Sequence, residues 1–294
     1  MMVVEMLKAL VRRGHSCEVY LSRYHIAQEP YWHEGIHVFP REYKDDGRAV
    51  WRSDVVLSHL ENVPGAAVAA LSAAKPFVHV VHNTHPTTKT YLHGQTDLIV
   101  YNSEWMADEC GRRPNAIIVR PPVHADDYRT TPGDSVTLVN LCADKGGAVF
   151  WRLAEEMPDV PFLGVQGAYG RQQEGDLPNV EILRHGADMR EVYGRTRILL
   201  MPSHYESWGR VGIEAAASGI PTIAHPTPGL REALGKAGIF ASRDYLGAWV
   251  REIRKLMQPA PYAAASKRSL ARSAQLDPTT DLNRWCDAVE ALAS

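Results

Sequence analysis

Met201-Pro-Ser-His-Tyr-Glu206-Ser-Trp-Gly209-Arg-Val-Gly-Ile-Glu214-Ala-Ala-Ala-Ser-Gly-Ile-Pro221-Thr-Ile-Ala224 is the stretch whose reading decides the fold. An apolar strand ends at Pro202, a polar turn carrying Gly209 follows, and a short helix leads into a second apolar strand. Val211, Glu214, Ala215 and Ser218 share one helical face, while Gly212, Ile213, Ala216 and Ala217 complete a small, apolar surround. A helix of that composition is buried, and a glutamate on it is costly unless hydrogen-bonded. A ribose diol satisfies such a carboxylate, and so does a neighbouring backbone N–H or an arginine. The N–H groups of Ser207, Trp208, Gly209 and Arg210 lack intrahelical partners at the helix start. With the helix dipole they form either a phosphate site or an ordinary water-solvated N-terminus. Gly209 allows a ligand close to the backbone.

The same alternation extends through the chain. Val136–Leu141, Phe162–Val165, Val180–Leu183, Ile198–Met201 and Pro221–Ala224 read as strands. Gly147–Glu156, Ala187–Arg195 and segments starting near Tyr245, Tyr262 and Thr280 read as helices. Earlier, Val3, Met6, Leu7, Leu10 and Val11 fall at helical spacing, and Gly14 can close that helix. Val19–Leu21, Ile36–Phe39, Asp54–Ser58, Phe77–Val81, Leu98–Tyr101 and Ile117–Arg120 are strand candidates. Ala66–Ala74 and a segment capped by Ser103 are helices. Strands alternating with helices imply an α/β protein with parallel sheets covered on both faces. The Pro-, Asp- and Thr-rich run after Pro122 reads as a linker. The expected division is residues 1–123, a linker at 124–134, a second domain at 135–275, and a terminal helix at 276–294 that returns to the first domain.

A chain of 294 residues is long enough for two such domains. Its net charge of −2 supplies no basic field for nucleic acid, so attraction of an anionic substrate must be local. Cys17, Cys110, Cys142 and Cys286 form no Cys-x-x-Cys pair, which fits a reducing cytoplasm. The 13 histidines show no ligand spacing for a metal. No apolar run reaches the length of a membrane span, and Glu5 and Lys8 interrupt the apolar start, against a signal peptide. Asp45-Asp46 and Asp126-Asp127 lie in loop-like sequence and read as solvated charge.

As a whole, the opening stretch resembles the Glu-x7-Glu signature of retaining glycosyltransferases of the GT-B fold, family 4. Glu206 and Glu214 carry the two glutamates, and Pro228-Gly229-Leu-Arg-Glu232 resembles the family's Gly-x-x-Glu segment, with proline in place of its first glycine. Val139-Asn140-Leu-Cys-Ala-Asp-Lys145-Gly146 resembles its Gly-Arg-…-Lys-Gly loop. Lys145 is kept, and Asn140 stands where an arginine is expected. One positive charge is therefore missing, and Arg210 is a candidate to replace it. Arg13-Gly14-His15 and Tyr101-Asn-Ser103-Glu-Trp resemble further junctions of the N-terminal domain. Phe77-Val-His79-Val-Val-His82 resembles the strand bearing an active-site histidine. His82, at the strand's C-terminal end, is the better placed, because open α/β sheets bind ligands there. His79 reads as structural.

The resemblance implies two Rossmann-like doubly wound domains facing across a cleft, with the nucleotide-sugar donor on the C-terminal one. It implies metal-independent transfer of a sugar from a nucleoside diphosphate to an acceptor, with retention. Glu214 would hold the ribose and Glu206 the transferred sugar. Lys145 and the N–H groups of Ser207 to Arg210 would stabilise the departing diphosphate. Relatives open with a strand and a glycine-rich loop, whereas this chain begins at the following helix, so its N-terminal domain is expected to lack the usual first strand. Self-association through that uncovered edge is expected. The competing reading is a noncatalytic nucleotide- or sugar-binding module derived from such enzymes. Asn140 and the absent strand favour the module; Glu206, Lys145 and Glu214 favour the enzyme. Base recognition is expected near Gln166–Arg171 and Arg184–Gly186.

Overall fold

The computed structural model describes residues 2–22, 29–40, 48–92, 94–186 and 188–294. Asp45 and Asp46 lie outside them. The chain divides into two compact units, Met1–Pro122 with Pro278–Ser294, and Val123–Asp277.

The first unit opens with α1 (Met2–Arg12), whose Met2, Met6, Ala9 and Leu10 are buried on one face. Then come β1 (Cys17–Tyr20), β2 (Tyr31–His33), β3 (Ile36–Phe39), α2 (Arg48–Arg52), β4 (Val56–His59) and α3 (Val63–Ser72). β5 (Phe77–Val81), α4 (Pro86–Tyr91), β6 (Leu98–Tyr101), α5 (Glu104–Cys110) and β7 (Ala116–Ile118) complete the run. Ser103 caps α5 by accepting the Met106 N–H at 3.1 Å, as its position before the helix predicts. The described strands form two sheets rather than one. β1-β3-β2 pairs β1 with β3 in parallel and β2 antiparallel, while β4-β5-β6-β7 is wholly parallel. One hydrophobic cluster serves both: Met6, Ile36, Val38, Val78, Val80 and Val100 lie in it together. β5 is buried along its whole length, which explains its unbroken Phe-Val-His-Val-Val run.

The second unit contains α6 (Ala125–Tyr128), β8 (Ser135–Val139), α7 (Gly147–Glu156), β9 (Phe162–Val165), β10 (Val180–Leu183) and α8 (Met189–Arg195). It continues with β11 (Thr196–Met201), α9 (Arg210–Ala216), β12 (Thr222–Ala224), α10 (Pro228–Leu234), β13 (Ile239–Phe240), α11 (Leu246–Leu256) and α12 (Pro259–Gln275). Its sheet is parallel throughout, in the order β10-β9-β8-β11-β12-β13. This is a doubly wound sheet: the chain moves outward from β8 on one side, then returns to β8's other edge at β11. Separate apolar clusters lie around it. Phe150, Leu153, Phe162 and Trp249 belong to one, and Tyr193, Trp208, Ile213 and Leu230 to another. Burying each such large side chain contributes about 2 kcal/mol.

The segment read as a linker is built into this second unit. Tyr128 packs against Tyr193 with ring centroids 6.3 Å apart. Its carbonyl accepts the Ser218 hydroxyl at 3.1 Å, and that hydroxyl accepts the Thr130 N–H at 2.9 Å. A composition rich in Pro, Asp and Thr conceals the single tyrosine that docks it.

The last helix, α13 (Thr279–Ala293), belongs to the first unit. Trp285, 1% exposed, donates its indole N–H to the Met6 carbonyl at 3.0 Å. The buried Asp281 carboxylate accepts the Arg120 backbone N–H at 3.1 Å and its guanidinium at 3.0 and 3.2 Å, fastening the helix start beyond β7. Among the described residues no helix is long and apolar enough to cross a membrane.

Candidate functional site

The strand order of the second unit places the ends of β8 and β11 side by side, where their connections part to opposite sides. Such a switch point leaves a crevice beyond the carboxyl ends of the strands. Residues 140–147 and 202–209 are the loops there. The His204 N–H donates to the Asp144 carbonyl at 2.9 Å and so joins the two.

The loop after β8 turns on Asn140, which adopts a left-handed conformation (φ 70°) and is 6% exposed. Asparagine tolerates this region because its short side chain hydrogen-bonds locally. Its Oδ1 accepts the Cys142 N–H at 3.1 Å and the Gln172 side chain at 3.0 Å. The carboxamide thus braces the loop. Lys145 ends a short 3-10 turn, Ala143–Lys145, and its ammonium contacts the Glu206 carboxylate. Glu206 also accepts the Ser203 hydroxyl at 2.9 Å. Burial lowers the Lys145 pKa, but the Glu206 carboxylate and, after it, Tyr169 together outweigh burial and the net shift is upward. The lysine is therefore charged, with a fixed partner.

Gly209 (φ 88°) precedes α9 and lies against the Leu230 side chain. Trp208 is 2% exposed in the core, so only its backbone faces the question of ligand binding. Glu214 is 4% exposed. One oxygen accepts the Tyr193 hydroxyl at 2.7 Å and the other pairs with Arg210 at 3.0 Å. Burial raises the Glu214 pKa more than Arg210 and Tyr193 lower it. Arg210 also donates to the Tyr128 hydroxyl at 2.7 Å. The structure thus groups Lys145 with Glu206, and Arg210 with Glu214. The arginine considered as a replacement for the missing charge is engaged by a carboxylate and a phenol. After β12, Thr227 caps α10 by accepting the Leu230 N–H at 3.2 Å. A Cβ at Gly229 would sit 2.2 Å from the Glu206 carbonyl oxygen, so glycine is required where α10 packs on the Glu206 loop.

His82 lies in the first unit, just beyond β5. Its ring meets His59 edge-on, centroids 4.9 Å apart. Burial, with His59 next, pushes its pKa down to about 3. His79 is fully buried, neither ring nitrogen has a partner among the described residues, and burial lowers its pKa to about 4. Asp126 pairs with Arg129 at 2.9 Å on the surface. Among the described residues no cluster of three or more His, Cys, Asp or Glu is placed to hold a metal ion.

Comparison with known proteins settles the family. The pattern described as Glycosyl transferases group 1 matches residues 158–259. Glycogen synthase of Mycobacterium tuberculosis is 39% identical, over 83% of this chain and 68% of that protein. The chain belongs to the group 1 glycosyl transferases. D-inositol 3-phosphate glycosyltransferase of Gordonia bronchialis is 26% identical, over 91% of this group 1 chain and 66% of its own length. This glycosyl transferase chain spans about two thirds or less of the first inositol-phosphate relatives it matches. A structure of Anabaena Alr3699/HepE in complex with UDP-glucose has the same fold, with a TM-score of 0.83 over 99% of this chain and 95% of that one, at 16% identity. The GT-B expectation for a group 1 glycosyl transferase is met.

Several residues around this glycosyl transferase's candidate site were not singled out in the sequence. Tyr193 and Tyr128 hold Glu214 and Arg210 from distant positions. Ser203 and Gln172 tie the two loops internally. Only Ser203, three residues before Glu206 at a strand end, carried a local signal.

Proposed function

We propose that this chain transfers a sugar from a nucleoside-diphosphate-sugar donor to an acceptor, with retention and without a metal. The observation that carries the reading is the Lys145–Glu206 pair at the switch point of a doubly wound sheet, with the buried Glu214 on the adjoining helix, in a chain of this family. The Lys145 ammonium supplies positive charge where a departing diphosphate develops negative charge, and such aimed groups act on the transition state. Glu206, fixed by Lys145 and Ser203, hydrogen-bonds the transferred sugar. Glu214 keeps acceptor capacity on each oxygen beyond its present bonds, which suits two ribose hydroxyls. Asn140 and the N–H groups of Ser207 to Arg210 complete the diphosphate surround. The leaving diphosphate takes the acceptor's proton. Because HepE is described with UDP-glucose, that is the first donor to test. The acceptor is left open, since the matched relatives are named for an inositol phosphate and for glycogen. A cytoplasmic location and self-association belong to this reading.

Asn140 favours a second reading, a noncatalytic nucleotide-sugar-binding module, because its carboxamide is spent on Cys142 and Gln172 and brings no positive charge. Release of nucleoside diphosphate from UDP-, GDP- and ADP-sugars, with acceptors supplied, separates the two. Turnover that falls about 10²–10³-fold in Lys145→Ala supports the enzyme. Binding without turnover supports the module, and turnover unchanged in Lys145→Ala contradicts the lysine's role.

A further inference from the structure

Lys145, Arg210 and Arg243 reach the loops at the carboxyl end of the second unit's sheet, and the first two have their own carboxylate. Lys145 is held by Glu206 and Arg210 by Glu214. Arg243, in the loop between β13 and α11, has none within ion-pair distance among the described residues. Its backbone N–H donates to His225 Nδ1 at 3.2 Å, and the His225 N–H donates to the Met201 carbonyl, so the loop is anchored to the end of β11. Its Nη2 reaches the Ala143 carbonyl at 3.5 Å, in the same turn that ends with Lys145. Its Nη1 is buried and has no hydrogen-bond partner among the described residues. Burial lowers the Arg243 pKa, and only the more remote Asp244 and Asp144 oppose this.

A buried guanidinium nitrogen without an acceptor is an unfavourable arrangement that an arriving anionic oxygen relieves. The placement meets the need left by Asn140: a second positive charge beside the Lys145 turn, contributed by the far edge of the sheet. We propose that Arg243 binds an anionic oxygen of the donor, either on the diphosphate or on an acidic substituent of the transferred sugar. The inference rests on the donor reading given above. Arg210, clasped by Glu214 and Tyr128, is not the replacement. The guanidinium forms charge-assisted hydrogen bonds to the oxygen in a fixed fork, geometry that a lysine ammonium does not reproduce.

The test is calorimetric titration of the full chain, parent and Arg243→Gln, with uridine, UDP, UDP-glucose and UDP-glucuronate, and with the guanine and adenine diphosphates if the uracil series does not bind. A diphosphate contact predicts at least tenfold weaker binding of UDP and of both nucleotide sugars in Arg243→Gln, with uridine unaffected. A sugar contact predicts unchanged UDP and UDP-glucose and at least tenfold weaker UDP-glucuronate. Arg243→Lys, which keeps the charge, should recover part of whichever loss is seen and guards against a folding defect in the glutamine variant. Tight parent binding with every affinity equal in Arg243→Gln overturns the inference and leaves the donor reading standing. A parent that binds no nucleoside diphosphate overturns both.

Discussion

Replacing Gly229 with alanine tests whether the Glu206 loop is held in place by the start of α10. The added Cβ would lie 2.2 Å from the Glu206 carbonyl oxygen and 2.7 Å from the carbonyl carbon and oxygen of Ser207. An ordinary contact needs about 3.4 Å, so one side must move by about 1 Å. Both sides are backbone, and no rotamer change can absorb the displacement. Overpacking of this kind costs about 2 kcal/mol, which lowers the melting midpoint of a unit this size by about 4–8 °C. A shift of about 1 Å in a group that positions substrate costs about 10²-fold in turnover. Thermal unfolding of the variant and the initial rate of UDP release from UDP-glucose measure the two effects. Gly65→Ala is the control: Gly65 lies within α3, where an added Cβ meets nothing within 4 Å among the described residues. That change should leave stability equal or raised by up to about 1 kcal/mol. A Gly229→Ala chain with parental midpoint and parental rate would refute the packing and the positioning together.

The buried histidine of β5 makes stability depend on pH. Unfolded, His79 gains a proton below its ordinary value of 6.5, whereas burial holds the folded group near 4. Stability is therefore full above pH 6.5 and lost as pH falls, by about 2 kcal/mol at pH 5. Denaturant unfolding of His79→Leu should lack that loss, and a parent–variant difference that is the same at pH 7.5 and pH 5 contradicts it. Asp281→Ala leaves the Arg120 guanidinium and N–H without their shared acceptor, and should destabilise the first unit by about 3 kcal/mol in denaturant titrations. A loss below about 0.5 kcal/mol would place that pair among the inconsequential surface contacts.

How much could be read in the sequence varied with the physics involved. Phe77–Val81, Leu98–Tyr101 and Phe162–Val165 were legible to the residue, because strands buried on both faces are unbroken apolar runs between turn signals. Glu214 stood out because small residues surround it on a short helix, whereas Lys145 and the pairing of Glu206 with Glu214 were legible through their resemblance to the family's motifs. β2 was not legible: Tyr31, Trp32 and His33 are all on the exposed side and show no alternation to read. β13 has two residues and gave no periodic signal. α10 was read only as motif, because its Pro-Gly start conceals a seven-residue helix capped by Thr227. The partners of the site residues were hidden for another reason. That Tyr193 would bind Glu214, or that Arg243 would reach the Lys145 turn from β13, depends on the order in which strands lie side by side, which sequence separation does not express.

The most direct measurement is a calorimetric titration of UDP, GDP and ADP into the parent chain and into Glu214→Ala. If the buried carboxylate holds the ribose of a nucleoside-diphosphate donor, the parent binds one of the three. The variant, still folded by circular dichroism, then binds it at least tenfold more weakly, a loss of about 1.4 kcal/mol. Equal affinity in the two proteins, or no binding by the parent, would contradict the assignment.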